Sequence, residues 1–267
     1  MAALNTERVI FLHIPKAAGQ TIYGIVGRQY RRDEILILGE RVGQVSPPTI
    51  EQAAGAKIIL GHVHFGLHQH LDGENTYVTF LREPVSRVLS LYRYIATSSR
   101  HHLHAQVVNT TLIDFVSGQL DAEEVENGQV RQIAGLTRGV PDASDLARAK
   151  QNLVEACRVV GLVERFDESI ILLKRSLGWR MPFYVRKNVT QAALSSDTSD
   201  DKALQIIKRR NALDIELYQF ACDLFGEQVR RQSFFPMEVS VFRALNATAR
   251  FGRAGMRAAS LMRSRNA

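Results

Sequence analysis

A chain of 267 residues, 45% hydrophobic and 23% charged, has enough apolar material for one large α/β domain or two small ones. No apolar run reaches the roughly 20 residues that cross a bilayer, the opening MAALNTER lacks a charged-then-apolar leader pattern, and Cys157 and Cys222 stand far apart without CxxC spacing, so a soluble protein of a reducing compartment, the cytoplasm, is expected. The formal charge of +7 is uneven: Val239 to Ala267 holds six arginines (Arg243, Arg250, Arg253, Arg257, Arg263, Arg265) and no acid, which leaves the remainder at about +1, so the basic character belongs to a tail and not to a nucleic-acid-binding body.

In chain order, Val9 to Leu12 reads as a buried strand that breaks at Pro15. It passes through Lys16, Ala17, Ala18 and Gly19 into a helix opening at Gln20 and Thr21 and reaching Tyr30. Ile35 to Leu38 is a short strand, and Gly39 to Pro48 a loop with the pair Pro47–Pro48. A weak helix, Thr49 to Ala54, leads to a strand at Lys57 to Leu60 that ends at Gly61-His62. Tyr77 to Leu81 is the next strand and ends at Arg82. Pro84 suits the first turn of a helix whose apolar stripe is Val85, Val88, Leu89, Tyr92 and Ile95.

Helix is predicted at Thr111 to Ser117, and the charged, glycine-bearing run Asp121 to Arg131 follows it. An amphipathic helix spans Asp142 to Cys157, a strand Val159 to Val163, and a helix Ser169 to Leu177, stopped by Gly178. A polar stretch at Ser195 to Asp201 precedes one long helix from Lys202 to Phe225. Strands alternating with helices predict a parallel sheet covered on both faces.

The chemistry gathers at strand ends. A strand, a small-residue turn and a helix N-terminus form an anion site, because unpaired amides and the helix dipole converge there. Lys16 adds a positive charge at its mouth. A triphosphate loop would read GxxxxGK[ST]; here the lysine precedes Gly19 and is followed by Ala17, so the magnesium-binding hydroxyl is missing from its place, and no GxGxxG is present. In a parallel sheet Lys16, His62 and Arg82 would share one edge. There Arg82 can contact a phosphate in bidentate fashion and Ser90 can donate a hydroxyl. Taken alone, Arg82 could equally pair with Glu83 in a structural role.

These residues carry a family resemblance. HIPKAAGQT is similar to the 5′-phosphosulfate loop, usually HIPKTAGT, of the sulfotransferases that use 3′-phosphoadenosine 5′-phosphosulfate. TFLREPVSRVLSLYRY is similar to their 3′-phosphate motif, usually FLRDPVERFLSxY. NGQVRQIAG (Asn127 to Gly135), VGLVERFDESIILLKRSLGW (Val160 to Trp179) and LYxxAxxLF (Leu217 to Phe225) follow in the right order. The chain most resembles the branch with heparan sulfate 2-O- and 6-O-sulfotransferases, as a soluble, bacterial-type member.

The resemblance implies a P-loop-like three-layer α/β fold with a central parallel sheet. It also implies 3′-phosphoadenosine 5′-phosphosulfate as donor with no metal required, and a hydroxyl acceptor on a saccharide, polysaccharide or glycolipid. By it, Lys16 neutralises the bridging oxygen, and Ala17, Ala18, Gly19, Gln20 and Thr21 cradle the 5′ group. Arg82 and Ser90 hold the 3′-phosphate, and Arg131 is a candidate for the cofactor lid. Ala17-Ala18 and Gln20 depart from the usual Thr-Ala and small hydroxyl, so a side-chain donor to the sulfonate is lost while the backbone cradle survives.

A base for the acceptor hydroxyl is still needed. GHVHFGLHQH places histidines at 62, 64, 68 and 70, and His62 matches the family's position best, with His64 second. A zinc site among them is the competing reading, though no Cys or carboxylate cluster lies nearby. His68 and His70 read as polar loop residues, His101, His102 and His104 as exposed, and His13 as a structural hydrogen-bonding residue.

Residues 1–238 form the expected domain. In the tail, 239–267, Phe242, Leu245, Ala249, Met256 and Ala259 recur at near-helical spacing among the arginines, while Gly252 and Gly255 oppose a helix. A basic amphipathic helix resting on a membrane surface and a disordered tail both remain open. Two alternatives to a sulfotransferase stand beside it: a nucleotide- or glycan-binding module of the same fold without turnover, and a nucleotide-dependent kinase, which the missing Walker hydroxyl and magnesium carboxylates disfavour.

Overall fold

The computed structural model describes residues 7–38, 53, 55–118, 123–185 and 201–248. The apolar runs become five strands: β1 (Arg8–Leu12), β2 (Ile35–Leu38), β3 (Ile58–Gly61), β4 (Asn75–Leu81) and β5 (Cys157–Leu162). They form one sheet in the order β2-β3-β1-β4-β5, with every neighbouring pair parallel. Parallel strands must be joined by crossovers, which cover both faces of the central strands, so those strands are mainly apolar, while the edge strand β2 leaves Ile37 exposed. Ile10, Phe11, Leu12, Ile59, Leu60, Val78 and Phe80 are all buried. All five strands finish at one edge, and β1 stands in the middle, where the connections turn to opposite sides. That crevice is where ligands bind in open α/β sheets.

The helices are α1 (Gly19–Val26), α2 (Pro84–Thr97), α3 (His104–Val107), α4 (Leu112–Val116), α5 (Gly128–Ala134), α6 (Ala143–Glu155), α7 (Phe166–Leu177), α8 (Asp201–Arg210), α9 (Ala212–Arg230) and α10 (235–248). Pro84 opens α2, and the Glu83 carboxylate accepts the N–H groups of Val85 and Ser86 at 3.0 and 2.7 Å. Val88, Leu91, Tyr92 and Ile95 of α2 pack with Leu112, Phe115, Val116 and Ile207 into a second core beside the main one.

The expected single helix from Lys202 to Phe225 is broken at Asn211. The buried Asn211 side chain accepts the Asn127 N–H (3.1 Å) and donates to the Val125 carbonyl (2.9 Å). Asn127 sits at φ 46, and its side-chain oxygen accepts the N–H groups of Leu213 and Asp214, both at 3.1 Å. In return the Asp214 carboxylate accepts the N–H groups of Gln129 (3.1 Å) and Val130 (2.8 Å). The starts of α5 and α9 therefore cap each other, which a continuous helix would forbid. Arg87 reaches the same point: it is wholly buried, lies 3.5 Å from the equally buried Asp214, and donates to the Glu124 carbonyl at 2.8 Å. A Cβ on Gly128 would come within 3.2 Å of its guanidinium, so the glycine makes room for it.

The tail expected from Val239 begins inside a packed helix, and the boundary between 238 and 239 falls within α10. Phe235, Val239 and Phe242 join the main core. The Asn246 side chain accepts the Tyr184 N–H at 2.8 Å, and Glu238 pairs with Lys174 (2.8 Å) and Arg175 (2.6 Å). The expected loop at Gly39 to Pro48, most of the helix Thr49 to Ala54, the polar stretch at 195–200 and the tail beyond 248 lie outside the described residues.

Removing one partner of a buried ion pair strands the other charge. Asp214→Ala should therefore lower unfolding stability by about 3–5 kcal/mol, measured by urea titration. Loss of less than about 1 kcal/mol would mean that the Asp214 contacts contribute little.

Candidate functional site

Beyond Leu12 the chain turns tightly through two non-glycine residues in the left-handed region, Lys16 (φ 67) and Ala18 (φ 65). Such conformations are costly and persist where the surroundings impose them. Ala18 is the N-cap of α1 and makes no side-chain capping bond. An alanine cap has no oxygen to offer, so the helix presents its opening amides and positive dipole end to whatever lies in front of them. Gly19 is required by a close approach, since a Cβ there would fall 1.8 Å from His13 Nε2.

His13 itself is buried. Its Nδ1 lies 3.1 Å from the Tyr23 hydroxyl, and its ring stacks on Phe11 (5.7 Å between centroids) and on His62 (4.1 Å). Burial, then the neighbouring His62 and Lys16, push its pKa well below the usual imidazole range, so it is a neutral structural ring.

A cleft of about 640 Å³ opens at this edge of the sheet. Lys16, Ala18, Gly19, Gln20, Thr21, His62, Arg82 and Ser90 all line it, together with His13. Three predicted residues do not line it. Ala17 is buried beneath the turn, its N–H donating to the Ile14 carbonyl at 3.1 Å. Arg131 is also buried and donates to the Gly139 carbonyl at 2.6 Å; it does not line the cleft as the lid assignment expected. His64 is likewise absent from the cleft wall, and burial with Arg131 nearby lowers its pKa to about 4.

The cationic wall is linked through the backbone, because Arg82 Nη1 donates to the Lys16 carbonyl at 3.1 Å. The Lys16 ammonium lies 3.8 Å from the centre of the Tyr94 ring. Burial, then the charge of Arg82, lowers the Lys16 pKa to about 8 against an opposing pull from Glu124. Arg82 is also shifted down by burial. Two half-buried cations sharing one cleft with an open helix N-terminus make a place that an anion relieves.

His62 also lines the cleft, and its Nδ1 lies 3.0 Å from the His13 carbonyl. A carbonyl only accepts, so Nδ1 carries the hydrogen and Nε2 is the basic nitrogen of the neutral ring.

The stretch NGQVRQ supports both Arg82 and His62. Gln129 pairs in both directions with the Arg82 backbone, its oxygen accepting the N–H at 3.0 Å and its nitrogen donating to the carbonyl at 2.9 Å. One turn later the Gln132 side chain donates to the His13 carbonyl (2.9 Å), which His62 also contacts, and to the carbonyl of Val63, the residue after His62 (2.8 Å). The motif's contribution is to position Arg82 and His62 from behind.

Ser98, Arg100 and His101 also line the cleft, within the segment Ser98 to Asn109 that sequence reasoning offers as an acceptor loop; Tyr94, Glu124, Val163 and Phe166 line it as well and were missed. Ser90 and Tyr94 are four residues apart and so share one face of α2, a signal that was present. His101, expected as exposed, stacks on His102 at 4.6 Å at the cleft's rim. Among the described residues no group of three or more His, Cys, Asp or Glu is placed to hold a metal ion.

The family model for galactose-3-O-sulfotransferase matches residues 3–265. The chain belongs to the galactose-3-O-sulfotransferase family. The match supports the sulfotransferase resemblance and does not extend to the 2-O- and 6-O-sulfotransferase branch expected from the motifs. Galactose-3-O-sulfotransferase 3 of Mus musculus is 26% identical over 248 residues, covering 84% of this chain and 57% of that protein. The Homo sapiens counterpart is 25% identical with the same coverage. The chain spans 57% of the length of these curated relatives. Among solved structures, mouse sulfotransferase SULT7A1 complexed with PAP aligns over 91% of this chain and 88% of its own with 11% identity and a TM-score of 0.36, too distant to inform the site.

Anion binding should follow the protonation of Lys16. Affinity for adenosine 3′,5′-bisphosphate, followed by calorimetry, should fall as pH rises through about 8, because the free protein then loses the ammonium that the anion needs. Lys16→Arg should flatten that dependence, since a guanidinium stays charged. Gly19→Ala should weaken binding by at least about tenfold, because the added methyl displaces His13 from beneath the cradle.

Proposed function

We propose that this chain transfers a sulfuryl group from 3′-phosphoadenosine 5′-phosphosulfate to a hydroxyl of a carbohydrate. The observation that carries the reading is the convergence, in one cleft, of Lys16, Arg82, the open start of α1 and the basic Nε2 of His62. Membership of the galactose-3-O-sulfotransferase family supports the same reaction and makes a galactose 3-hydroxyl the first acceptor to test. The acceptor could be carried on a free saccharide, a polysaccharide or a glycolipid.

The residues present suit such a donor. The amides from Ala18 to Gln20 and the Thr21 hydroxyl would hold the 5′ group, the Thr21 amide being taken by the Ala18 carbonyl at 3.0 Å, while Arg82 and Ser90 would hold the 3′-phosphate. When bound, the donor supplies an activated sulfuryl group joined to phosphate through one bridging oxygen. Lys16 sets its ammonium where negative charge grows on that side of the reaction. His62 takes the acceptor proton at Nε2, and the His13 carbonyl, braced by Gln132, holds the ring and its tautomer. The transfer depends mainly on positioning and charge stabilisation, so stiff supports behind Arg82 and His62 matter as much as the groups themselves.

A labelled-donor assay against galactose-terminated saccharides and glycolipids tests the proposal. His62→Ala should reduce turnover by about 10²–10⁴-fold while leaving affinity for adenosine 3′,5′-bisphosphate nearly unchanged, and His64→Ala should keep turnover near that of the parent. The reverse pattern would transfer the base to His64. Donor binding by the parent without transfer to any acceptor would favour a binding module of this fold.

A further inference from the structure

Lys16 is placed by its neighbours as much as by its own chain. Its backbone is fixed in the left-handed region at φ 67, but a flexible carbon stem separates that backbone from the ammonium. A half-buried cation on such a stem needs a partner to stay in one place and to stay charged. Among the described residues no carboxylate forms an ion pair with it; Glu124 draws on it only electrostatically. What meets the ammonium is the face of the Tyr94 ring, 3.8 Å from nitrogen to ring centre.

The Tyr94 side chain adds little to the core. The stripe that α2 buries is Val88, Leu91, Tyr92 and Ile95, whereas Tyr94 is 43% exposed and lines the cleft on the face it shares with Ser90. Its ring meets His101 at 84° with 5.6 Å between centroids, and His101 stacks on His102 at 4.6 Å. The ring is thus braced from the rim while one face is turned to the ammonium. A cation over an aromatic face is attracted by the ring quadrupole, and the attraction grows as water is excluded. The ammonium carries three N–H donors, so donors remain for an anion in the cleft.

We propose that Tyr94 is a positioning residue for Lys16: its ring holds the ammonium at the mouth of the cradle and favours its charged form, so that an arriving anion finds the cation in place. This role rests on reading Lys16 as the cation that meets the donor. The other groups that face Lys16 are Arg82 at the end of β4, Glu124 ahead of α5 and His13 beneath the turn; His62 and His101 line the same cleft. Burial and Arg82 disfavour the charged form, and the ring opposes them.

Tyr94→Leu and Tyr94→Phe separate the aromatic face from its bulk. In NMR of isotope-labelled lysine side chains, the Lys16 signal, identified by its loss in Lys16→Arg, should carry the ring-current shift of Tyr94. Tyr94→Phe should keep that shift and Tyr94→Leu should abolish it. The Lys16 titration midpoint should move to lower pH in Tyr94→Leu and stay with the parent in Tyr94→Phe, because the ring favours the protonated form. Near pH 8, Tyr94→Leu should weaken binding of adenosine 3′,5′-bisphosphate by about three- to tenfold, while Tyr94→Phe binds like the parent. In Lys16→Arg, adding Tyr94→Leu should leave the pH dependence unchanged, since a guanidinium stays charged. Thermal unfolding reports that the variants are folded.

A Lys16 signal without a ring-current shift, or a titration midpoint that Tyr94→Leu leaves in place, would overturn the proposal. So would tighter binding by Tyr94→Leu, since the ring would then be drawing the ammonium away from the anion. Lys16 signals that behave as expected in a protein that does not bind adenosine 3′,5′-bisphosphate would uphold the ring's hold on Lys16 and count against the donor reading instead.

Discussion

The structure hangs on a carboxylate that no water reaches. Asp214 accepts two backbone amides at the start of α5 and faces the buried guanidinium of Arg87, while Asn127 returns the favour by capping α9. A charge so deeply buried is tolerable only when hydrogen bonds and an opposite charge meet it together. The consequence is geometric: α2, α5 and α9 are pinned at one point. From α5 two glutamine side chains then reach forward to the cleft, Gln129 to the backbone of Arg82 and Gln132 to the carbonyls around His62.

The cleft in front of these supports is organised against its own ligand-free electrostatics. Burial, with the charge of Arg82 added to it, lowers the Lys16 pKa to about 8. Lys16 and Ala18 are also held in left-handed conformations that alanine and lysine do not favour. An anion in the cleft offsets the repulsion and meets amides that already point at it. Preorganisation of this kind places the cost in the folded protein before the ligand arrives.

Family membership and cleft geometry address different questions. The first says which group of proteins the chain belongs to, across nearly its whole length. The second says how one strand edge can hold an anion beside a basic nitrogen. The chain spans 57% of the length of its curated relatives, so the proposed acceptor rests on the family match, and the proposed base on the position of His62 and its contact with the His13 carbonyl.

Much of this was legible in one dimension. Continuous apolar runs such as Val9 to Leu12 and Val159 to Leu162 reveal parallel strands, because a strand covered on both faces has no polar side to alternate with. The location of Lys16, Arg82 and His62 at strand ends followed, since parallel topology brings those ends to one edge. Long-range pairing was not legible. Asn211 looks like any polar residue within a helical pattern, and only its contact with Asn127, 84 residues away, shows that the helix must break there. Arg131 carries a charge that sequence reasoning sends to the ligand, yet α5 rolls Gln129 and Gln132 toward the cleft and buries the arginine behind them. The two faces of α10 were likewise indistinguishable until the core chose Phe242 and left Leu245 outside. Local chemistry and periodicity thus determined the strands and the residues at their ends; which polar side chains became supports and which apolar ones stayed in water was decided by contacts between segments far apart in the chain.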